Sequence, residues 1–334
     1  MVTTMAAMPS LVGLDWGSTS LRAWLIAPDG TVLEERHADK GASTLSGHAA
    51  FVAAFDDVSG AWRAAHAGLP VLACGMVGST HGWQDVPYAR CPAGAAALAA
   101  GLRRPEGSHD GAPDGAPDGV PDGVPYIVPG VLFDDTSLPP DVMRGEETQV
   151  VGALHLHETL RASSCVVLPG THSKWAQVCA GRIVRFATHM TGELYAVLRQ
   201  HSVLGRLMPD DAPVDPDAFV QGVDAARDHG ELGLPHQIFA ARSLGVTGRL
   251  PHEMLADYLS GLLIGHELRA GLQWRAMAGV GGQPLALVGA PKLCARYQVA
   301  LHRFQRPADL VLDNTAPAGL LALAREAGLL PIET

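Results

Sequence analysis

Apolar residues follow two different spacings along the chain, and the alternation between them predicts its secondary structure. Short runs bounded by Gly or Pro, such as those before Asp15 and before Gly75, are typical of buried strands. Longer stretches with apolar residues three and four apart are typical of helices that bury one face. These patterns predict strands within 11–37, 70–74, 165–189, 285–289 and 311–313, and helices within 46–67, 144–154, 192–204, 215–228, 252–273 and 316–327.

One arrangement of these patterns occurs twice, about half the chain apart. In each copy an apolar strand ends in a turn of Gly, Ser or Thr, and a second strand with a Trp, a Gly turn and a third strand follow. The copies occupy 11–37 and 165–189, and helix-forming stretches come after each. Hairpins followed by helices, twice over, predict an α/β fold with two related domains and a ligand cleft.

The turns after the first strand of each copy, which we call the elbows, have the composition of phosphate-binding loops. The first elbow contains Gly17, Ser18 and Thr19, and the second contains Gly170, Thr171 and His172. Backbone N–H groups and hydroxyls exposed in such turns can hold phosphate oxygens. One elbow in each half of the chain therefore predicts a bound nucleotide. The turn at Gly289 is a candidate for approaching its adenosine.

Asp15 lies at the end of a strand, just before the first elbow. Its carboxylate has two possible roles there. It can hold Mg²⁺ through water while the elbow holds phosphates, so that metal and elbow together neutralise a phosphoryl group during transfer. It can also simply cap the turn. The presence of a second elbow favours the metal hypothesis.

Two adjacent carboxylates, Glu146 and Glu147, lie in the first turn expected of the helix after Gly145. Anions are favoured at a helix N-terminus, and a carboxylate there can take the proton from a substrate hydroxyl as it attacks phosphorus. Capping of the helix together with a surface charge is the alternative. Neighbouring helical residues point about 100° apart, so only one of the two is expected to face a cleft.

Several small or cationic side chains are candidates for holding the substrate. Gly78 and Ser79 follow a buried strand and leave room for a compact, oxygen-rich ligand, although a tight strand-to-loop junction has the same composition. Thr191 is either a helix N-cap or part of a cleft wall. Arg144 and Lys174 can supply the donors that an anionic substrate or the transferred phosphate requires.

Composition narrows the range of partners. The chain has 334 residues, which favours two domains, and a net charge of −10 without a long Lys or Arg run. Nucleic acid and anionic membrane surfaces are therefore not expected as partners, and no run of 18 apolar residues predicts a membrane span. Five scattered cysteines without a pairing pattern are typical of the cytoplasm. A homodimer is left open.

A Pro-Asp-Gly repeat at 112–125 stands apart from these patterns. Pro and Gly at this density exclude a helix or a central strand. The repeat predicts an irregular surface loop, with a lid or partner-binding loop as the alternative.

Sequence blocks between residue 11 and about residue 300 occur in an order found in one family. The most distinctive are Arg-Gly-Glu-Glu-Thr-Gln at 144–149 and Gly-Thr-His-x-Lys-Trp at 170–175. In these blocks the chain resembles the 2-dehydro-3-deoxygalactonokinases of the sugar kinase, Hsp70 and actin superfamily. The resemblance implies two ribonuclease-H-like, actin-like ATPase domains at 10–140 and 141–334, flanking a nucleotide cleft.

The resemblance also implies a reaction: ATP- and Mg²⁺-dependent phosphorylation of a small sugar acid, 2-dehydro-3-deoxy-D-galactonate, at its 6-hydroxyl in galactonate breakdown. The superfamily's general base is usually an Asp before the second phosphate loop. The matching residue here is Glu146, with Glu147 in reserve. A kinase of another sugar or sugar acid, and an actin- or Hsp70-like nucleotide switch that binds proteins, are the alternative functions.

Overall fold

The computed structural model describes residues 8–106, 124–277, 279 and 281–330. Its strands are β1 (Leu11–Trp16), β2 (Leu21–Ile26), β3 (Val32–Ala38), β4 (Val71–Gly75), β5 (Ala89–Arg90), β6 (Tyr126–Ile127), β7 (Val131–Phe133), β8 (Asp141–Met143), β9 (Ser163–Leu168), β10 (Ser173–Cys179), β11 (Arg182–His189), β12 (Leu285–Val288) and β13 (Leu310–Leu312).

The helices alternate with these strands along the chain. They are α1 (His48–Ala65), α2 (Ala95–Ala100), α3 (Glu146–Leu156), α4 (Thr159–Ala162), α5 (Thr191–His201), α6 (Pro216–His229), α7 (Leu234–Gln237), α8 (Ala240–Val246), α9 (Leu255–Met277), α10 (Pro291–Arg303) and α11 (Ala316–Glu326). In the part of the chain that the structure describes, no helix is both long and apolar enough to cross a membrane.

The first five-stranded sheet has the order β3-β2-β1-β4-β6. Strands β1, β2 and β3 form an antiparallel meander, and β4 and β6 continue the sheet in parallel with β1. In this register Asp15 lies opposite Arg22 on β2 and opposite Cys74 on β4. The carboxyl ends of β1 and β4 are therefore side by side, and the first elbow begins at that edge.

The second five-stranded sheet repeats this arrangement with the order β11-β10-β9-β12-β13. Its strand β12 pairs in parallel with both β9 and β13. The predicted duplication is confirmed, because each half of the pattern forms a sheet of the same strand order. The second elbow follows β9 just as the first follows β1.

The contacts within the chain divide it into two compact units. The first contains residues 1–162, 178–185 and 314–334, and the second contains 163–177 and 186–313. Helices α3 and α11 belong to the first unit, where α3 packs against α11 so closely that a Cβ on Gly152 would lie 2.0 Å from the Thr315 carbonyl oxygen. The division differs from the boundary at 140/141 expected from the sequence, and the limits of the actin-like domains stay a prediction.

Each unit has its own apolar core. In the first, Phe51, Phe55 and Trp62 of α1 pack under the sheet beside Trp16. In the second, Trp175 of β10 and Tyr297 of α10 pack with residues of α6 and α9. Helices α6 and α9 come close enough that a Cβ on Gly261 would lie 2.0 Å from the Phe219 carbonyl oxygen.

Most of the elements predicted from the pattern of apolar residues form, within a few residues of their predicted bounds. Helix α10 was not predicted, nor were α8 and the small sheet of β5, β7 and β8. The Pro-Asp-Gly repeat lies almost wholly outside the described residues, which resume at 124.

Candidate active site

Asp15 is positioned by the end of β1 and by an ion pair across the sheet. Its Oδ2 accepts a hydrogen bond from Arg22 Nη2 at 3.2 Å, and 16 % of the Asp15 side chain is exposed. Burial raises the pKa of Asp15, and the charge of Arg22 offsets part of that rise. The carboxylate therefore keeps one counter-charge and a narrow opening to solvent, which suits a ligand that approaches from the sheet edge.

Two glycines let the backbone of three elements meet beside Asp15. Gly75 has φ +94°, and a Cβ added there would lie 2.7 Å from the Trp16 carbonyl oxygen and 3.5 Å from Asp15 Oδ1. Gly145 has φ +112°, and its added Cβ would lie 3.3 Å from the Gly75 Cα. Both positions need glycine because their φ is positive and their space is taken by backbone. The N-terminus of α3 is thereby brought to the edge that carries Asp15.

Glu146 and Glu147 occupy different environments at this terminus. Glu147 is fully buried; its Oε2 accepts from the Gly145 N–H at 2.7 Å and its Oε1 from the Thr148 hydroxyl at 3.1 Å. Burial, aided by the charge of Glu146, raises the pKa of Glu147 to about 8. Glu146 is partly exposed, and its Oε2 accepts from the Arg144 N–H at 3.1 Å. Of the two, only Glu146 offers a carboxylate to solvent, and that it faces the substrate stays a prediction.

Arg144 lies beside Gly78, so the structure brings together two of the residues predicted to bind the substrate. A Cβ on Gly78 would lie 2.9 Å from Arg144 Nη1, while Nη2 donates to the Val86 carbonyl at 2.8 Å. The guanidinium stacks 4.3 Å above the ring of Tyr88. Its Nε and Nη1 are buried and have no hydrogen-bond partner among the described residues. Buried charged donors in this state are usually completed by a ligand or water.

Ser79 and the first elbow are held by backbone contacts of the same unit. The hydroxyl of Ser79 donates to the Met76 carbonyl at 2.8 Å, a local turn contact. In the first elbow the Gly17 and Ser18 carbonyl oxygens accept from Ala42 and Ser43, at 2.9 and 3.0 Å. Ser18 and Thr19 remain exposed. The elbow is thus fixed from behind, and its hydroxyl-bearing residues face solvent.

The second elbow lies in the other unit, against the start of α5 and the end of β12. Thr171 and His172 are exposed, and the Thr171 carbonyl accepts from the Glu193 N–H at 3.0 Å. His172 forms a short hydrogen bond with the Glu193 carboxylate. Gly289 has φ +148°, and a Cβ there would lie 3.6 Å from the Pro169 carbonyl oxygen. The structure therefore brings Gly170, Thr171, His172 and Gly289 together.

A cavity of about 570 Å³ opens at this elbow within the second unit. Its lining includes Gly170, Thr171 and Thr191, together with Leu263, Leu293 and Arg296 of α9 and α10. Arg296 donates from Nη1 to the Ser260 hydroxyl at 3.0 Å and pairs with Asp257. A lining that combines a polar loop with apolar residues of α9 and α10 suits a ligand with phosphates and an aromatic base.

Thr191 and Lys174 have protein partners. The Thr191 hydroxyl donates to the carboxylate of Glu267. Lys174 is 4 % exposed, and its Nζ donates to the Thr188 hydroxyl at 2.9 Å. Their roles toward the substrate stay predictions. Sequence reasoning missed Arg22, Glu267 and Arg296; an acidic residue within the apolar stretch of α9 was the only available signal for Glu267.

Within the described ranges, no group of three or more His, Cys, Asp or Glu side chains is arranged to hold a metal ion. Magnesium commonly keeps several water ligands and binds proteins through one or two carboxylates plus substrate phosphates. Asp15 alone, with a part of its side chain open to solvent, fits that mode.

The fold and the two elbows define the class. Both sheets have the strand order of the ribonuclease-H-like fold, and an elbow after the first strand of each is the arrangement of actin-like ATPases and sugar kinases. The profile of the family "2-keto-3-deoxy-galactonokinase" matches residues 15–323. The chain belongs to this family, and is therefore a kinase, a phosphotransferase with an alcohol group as acceptor.

Relatives along nearly the whole chain agree with this membership. The 2-dehydro-3-deoxygalactonokinase of Escherichia coli (strain K12) is 36 % identical over 316 residues, covering 94 % of this chain and 97 % of the relative. A Rhizobium meliloti (strain 1021) protein provisionally assigned the same activity is 36 % identical over 331 residues, 93 % of this chain and 95 % of its own. A crystal structure from Sinorhizobium meliloti, also provisionally assigned as such a kinase, has a TM-score of 0.78 at 31 % identity, covering 96 % of this chain and 100 % of that one.

Proposed function

We propose that this kinase transfers the γ-phosphoryl group of ATP to the 6-hydroxyl of 2-dehydro-3-deoxy-D-galactonate, in galactonate breakdown. Family membership and the names of the relatives support this substrate. The observation that carries the proposal is the pair formed by Arg144 and Glu146. A buried guanidinium with two nitrogens lacking a partner among the described residues lies two residues from a solvent-accessible carboxylate. A sugar acid needs a cationic donor for its carboxylate and a base for its hydroxyl.

Glu146 is the proposed general base. Its carboxylate is partly exposed at the N-terminus of α3, where the helix dipole favours the ionised form. Glu147 is the poorer candidate, because both of its oxygens accept intramolecular hydrogen bonds and its pKa of about 8 keeps it protonated at neutral pH. Glu146 would orient the substrate hydroxyl and accept its proton as the bond to phosphorus forms.

The two elbows are the proposed phosphate contacts. Gly17, Ser18 and Thr19 of the first elbow and Gly170, Thr171 and His172 of the second are the proposed donors to phosphate oxygens, and Gly289 is proposed to lie near the nucleoside. Asp15 would hold Mg²⁺ through water, and the bound ion would supply charge neutralisation at the phosphates. Gly78, Ser79, Arg144, Lys174 and Thr191 are the proposed substrate contacts, of which Arg144 is best supported because it retains unsatisfied donors.

The cellular compartment is inferred from the state of the cysteines. All five cysteines are free, which supports a reducing compartment, and we place the enzyme in the cytoplasm. Measurement of the mass in solution would show whether the enzyme is a homodimer.

The test is a panel assay with purified enzyme, ATP and Mg²⁺. ADP release is followed with 2-dehydro-3-deoxy aldonates of both configurations and with neutral sugars, and ³¹P NMR identifies the phosphorylated hydroxyl. We expect the galacto-configured sugar acid to give the highest kcat/KM and a 6-phosphate product. Faster turnover of a neutral sugar would reject the substrate, and ADP release that no acceptor stimulates would favour a nucleotide switch.

A variant pair tests the base. Glu146→Gln keeps the size of the side chain and removes its basicity, so we expect kcat to fall about 10²- to 10⁴-fold with ADP affinity unchanged. Full activity in that variant would move the base elsewhere.

A further inference from the structure

A single carboxylate, that of Glu267 on α9, accepts three hydrogen bonds in the core of the second unit. Trp175 Nε1 donates to Oε1 at 2.9 Å, the Tyr297 hydroxyl donates to Oε2 at 2.6 Å, and the Thr191 hydroxyl also donates to Oε2. Glu267 is 3 % exposed. Burial of a carboxylate is unfavourable unless donors surround it, and here each donor comes from a different element.

One of these donors, Tyr297, leads directly to the second elbow. The Tyr297 hydroxyl is also 3.0 Å from the hydroxyl of Ser173, and the Ser173 oxygen accepts the Gly170 N–H at 3.3 Å. A continuous hydrogen-bonded chain therefore runs from Glu267 through Tyr297 and Ser173 to the backbone of the elbow. Ser173 is fully buried, so water cannot replace a missing member from bulk solvent.

The third donor reaches the elbow from its other side. Thr191 is the first residue of α5, and the next residue, Gly192, packs so close that its added Cβ would lie 2.5 Å from the Gly170 carbonyl oxygen. The following N–H, of Glu193, donates to the Thr171 carbonyl at 3.0 Å. Any shift of Thr191 away from Glu267 would thus be passed to Gly170 and Thr171.

We propose that Glu267 is a positioning residue that sets the geometry of the second phosphate elbow through Ser173 and Thr191. The inference rests on the proposed function, since it assigns phosphate binding to that elbow. Both carboxylate oxygens are required as acceptors because three donors converge on them. Glutamine has one acceptor oxygen and would direct an N–H₂ group at a donor, which leaves at least one buried polar group unsatisfied.

The test compares Glu267→Gln with a control on the same helix, His266→Ala. His266 lies next to Glu267 in sequence, but its side chain hydrogen-bonds Gln237 of α7. For each variant we would measure Tm, the ADP dissociation constant by calorimetry, and KM for ATP and for the sugar acid. We expect Glu267→Gln to raise the ADP dissociation constant and KM for ATP at least tenfold. KM for the sugar acid should rise by a smaller factor, because Thr191 is the one proposed substrate contact that hydrogen-bonds Glu267. His266→Ala should lower Tm and leave all three constants unchanged.

Ser173→Ala tests the hydrogen-bonded chain without removing a buried charge. We expect a three- to tenfold weaker affinity for ADP, and an effect in the double variant with Glu267→Gln smaller than the product of the single effects, because both act through one chain. If Glu267→Gln does not fold, Ser173→Ala and Tyr297→Phe carry the test. The inference is overturned if variants of Glu267, Ser173 and Tyr297 bind ADP as the unmodified enzyme does. Failure of the unmodified enzyme to bind ADP would instead overturn the proposed function.

Discussion

The Oε2 atom of Glu147 accepts the backbone N–H of Gly145 at 2.7 Å, so the second glutamate of the pair turns back onto the start of its own helix. Its other oxygen accepts from the Thr148 hydroxyl. The side chain therefore closes the turn in which Gly145 approaches Gly75, and it leaves Glu146 as the carboxylate with access to solvent.

The stability of the Glu147→Gln variant, compared with that of the unmodified enzyme, should increase as the pH rises. Burial raises the pKa of Glu147 from its ordinary 4.5 to about 8. Between these values the native state keeps a proton that the unfolded chain has lost, so the free energy of unfolding falls by about 1.4 kcal/mol per pH unit at most. The stability that the protonated Glu147 contributes is complete below pH 4.5 and is lost by about pH 8.

Thermal unfolding from pH 5 to pH 9 would test this sign. The difference in Tm between Glu147→Gln and the unmodified enzyme should increase with pH. Glu146→Gln is the matched control, since it removes the smaller of the two causes that raise the pKa of Glu147. Its difference in Tm from the unmodified enzyme should therefore change with pH in the same direction but by less. Parallel curves for Glu147→Gln and the unmodified enzyme would show that Glu147 is ionised throughout.

Gly75→Ala should damage both stability and activity. The substitution places a side chain at φ +94° and 2.7 Å from the Trp16 carbonyl oxygen, beside Asp15. We expect a loss of more than about 2 kcal/mol, since backbone strain of about 1–3 kcal/mol adds to the clash. Gly68→Ala is the control, because its φ is +85° but nothing lies within 4 Å of the added Cβ. Denaturant unfolding should show a smaller loss of unfolding free energy for Gly68→Ala, and that variant should retain its kcat/KM. Equal losses in the two variants would mean that backbone strain, and not the clash, accounts for the destabilisation.

The parts of the fold predicted from sequence are those that a local pattern specifies. Helix α1 and strands β1 and β4 each have enough residues for a spacing to be recognised. Strands β5, β7 and β8 have two or three residues, too few for any period. Helix α10 carries the helical spacing Cys294, Tyr297 and Leu301. The turn at Gly289 is interpreted from the sequence only as an elbow, and no helix is predicted after it.

The candidate site divides in the same way. The elbows and the pair Glu146 and Glu147 are contiguous motifs, so they can be recognised from the sequence. Arg22 pairs with Asp15 because the β1–β2 register places them opposite each other, and Glu267 meets Trp175 across 92 positions. Such partners are set by tertiary structure, and no local pattern specifies them. The protein partners of Lys174 and Thr191 were missed for the same reason.

Arg144→Lys should weaken binding of the sugar acid more than binding of ATP. Lysine keeps the charge but cannot reproduce the stacking on Tyr88, the contact with the Val86 carbonyl and two further N–H groups at once. We expect KM for the sugar acid to rise about tenfold, equivalent to about 1.4 kcal/mol, with KM for ATP within twofold. Tyr88→Phe keeps an aromatic face and should keep both constants. A rise confined to KM for ATP would reassign Arg144 to the nucleotide phosphates.

Asp15→Asn should lose activity without losing stability. Burial of the Asp15 carboxylate raises its pKa and opposes the attraction of Arg22, so we expect removal of the charge to change Tm little. If Asp15 holds Mg²⁺ through water, EDTA should abolish turnover of the unmodified enzyme and added Mg²⁺ should restore it. Asp15→Asn should retain less than about 1 % of kcat, in line with the 10²- to 10³-fold cost of losing one electrostatic contact, and should need more Mg²⁺ for half-maximal rate. Arg22→Ala is the opposite case, because it removes the cation that pairs with the mostly buried Asp15 carboxylate, and it should lower Tm. Near-normal kcat with an unchanged Mg²⁺ requirement in Asp15→Asn would show that Asp15 only caps the turn into the first elbow.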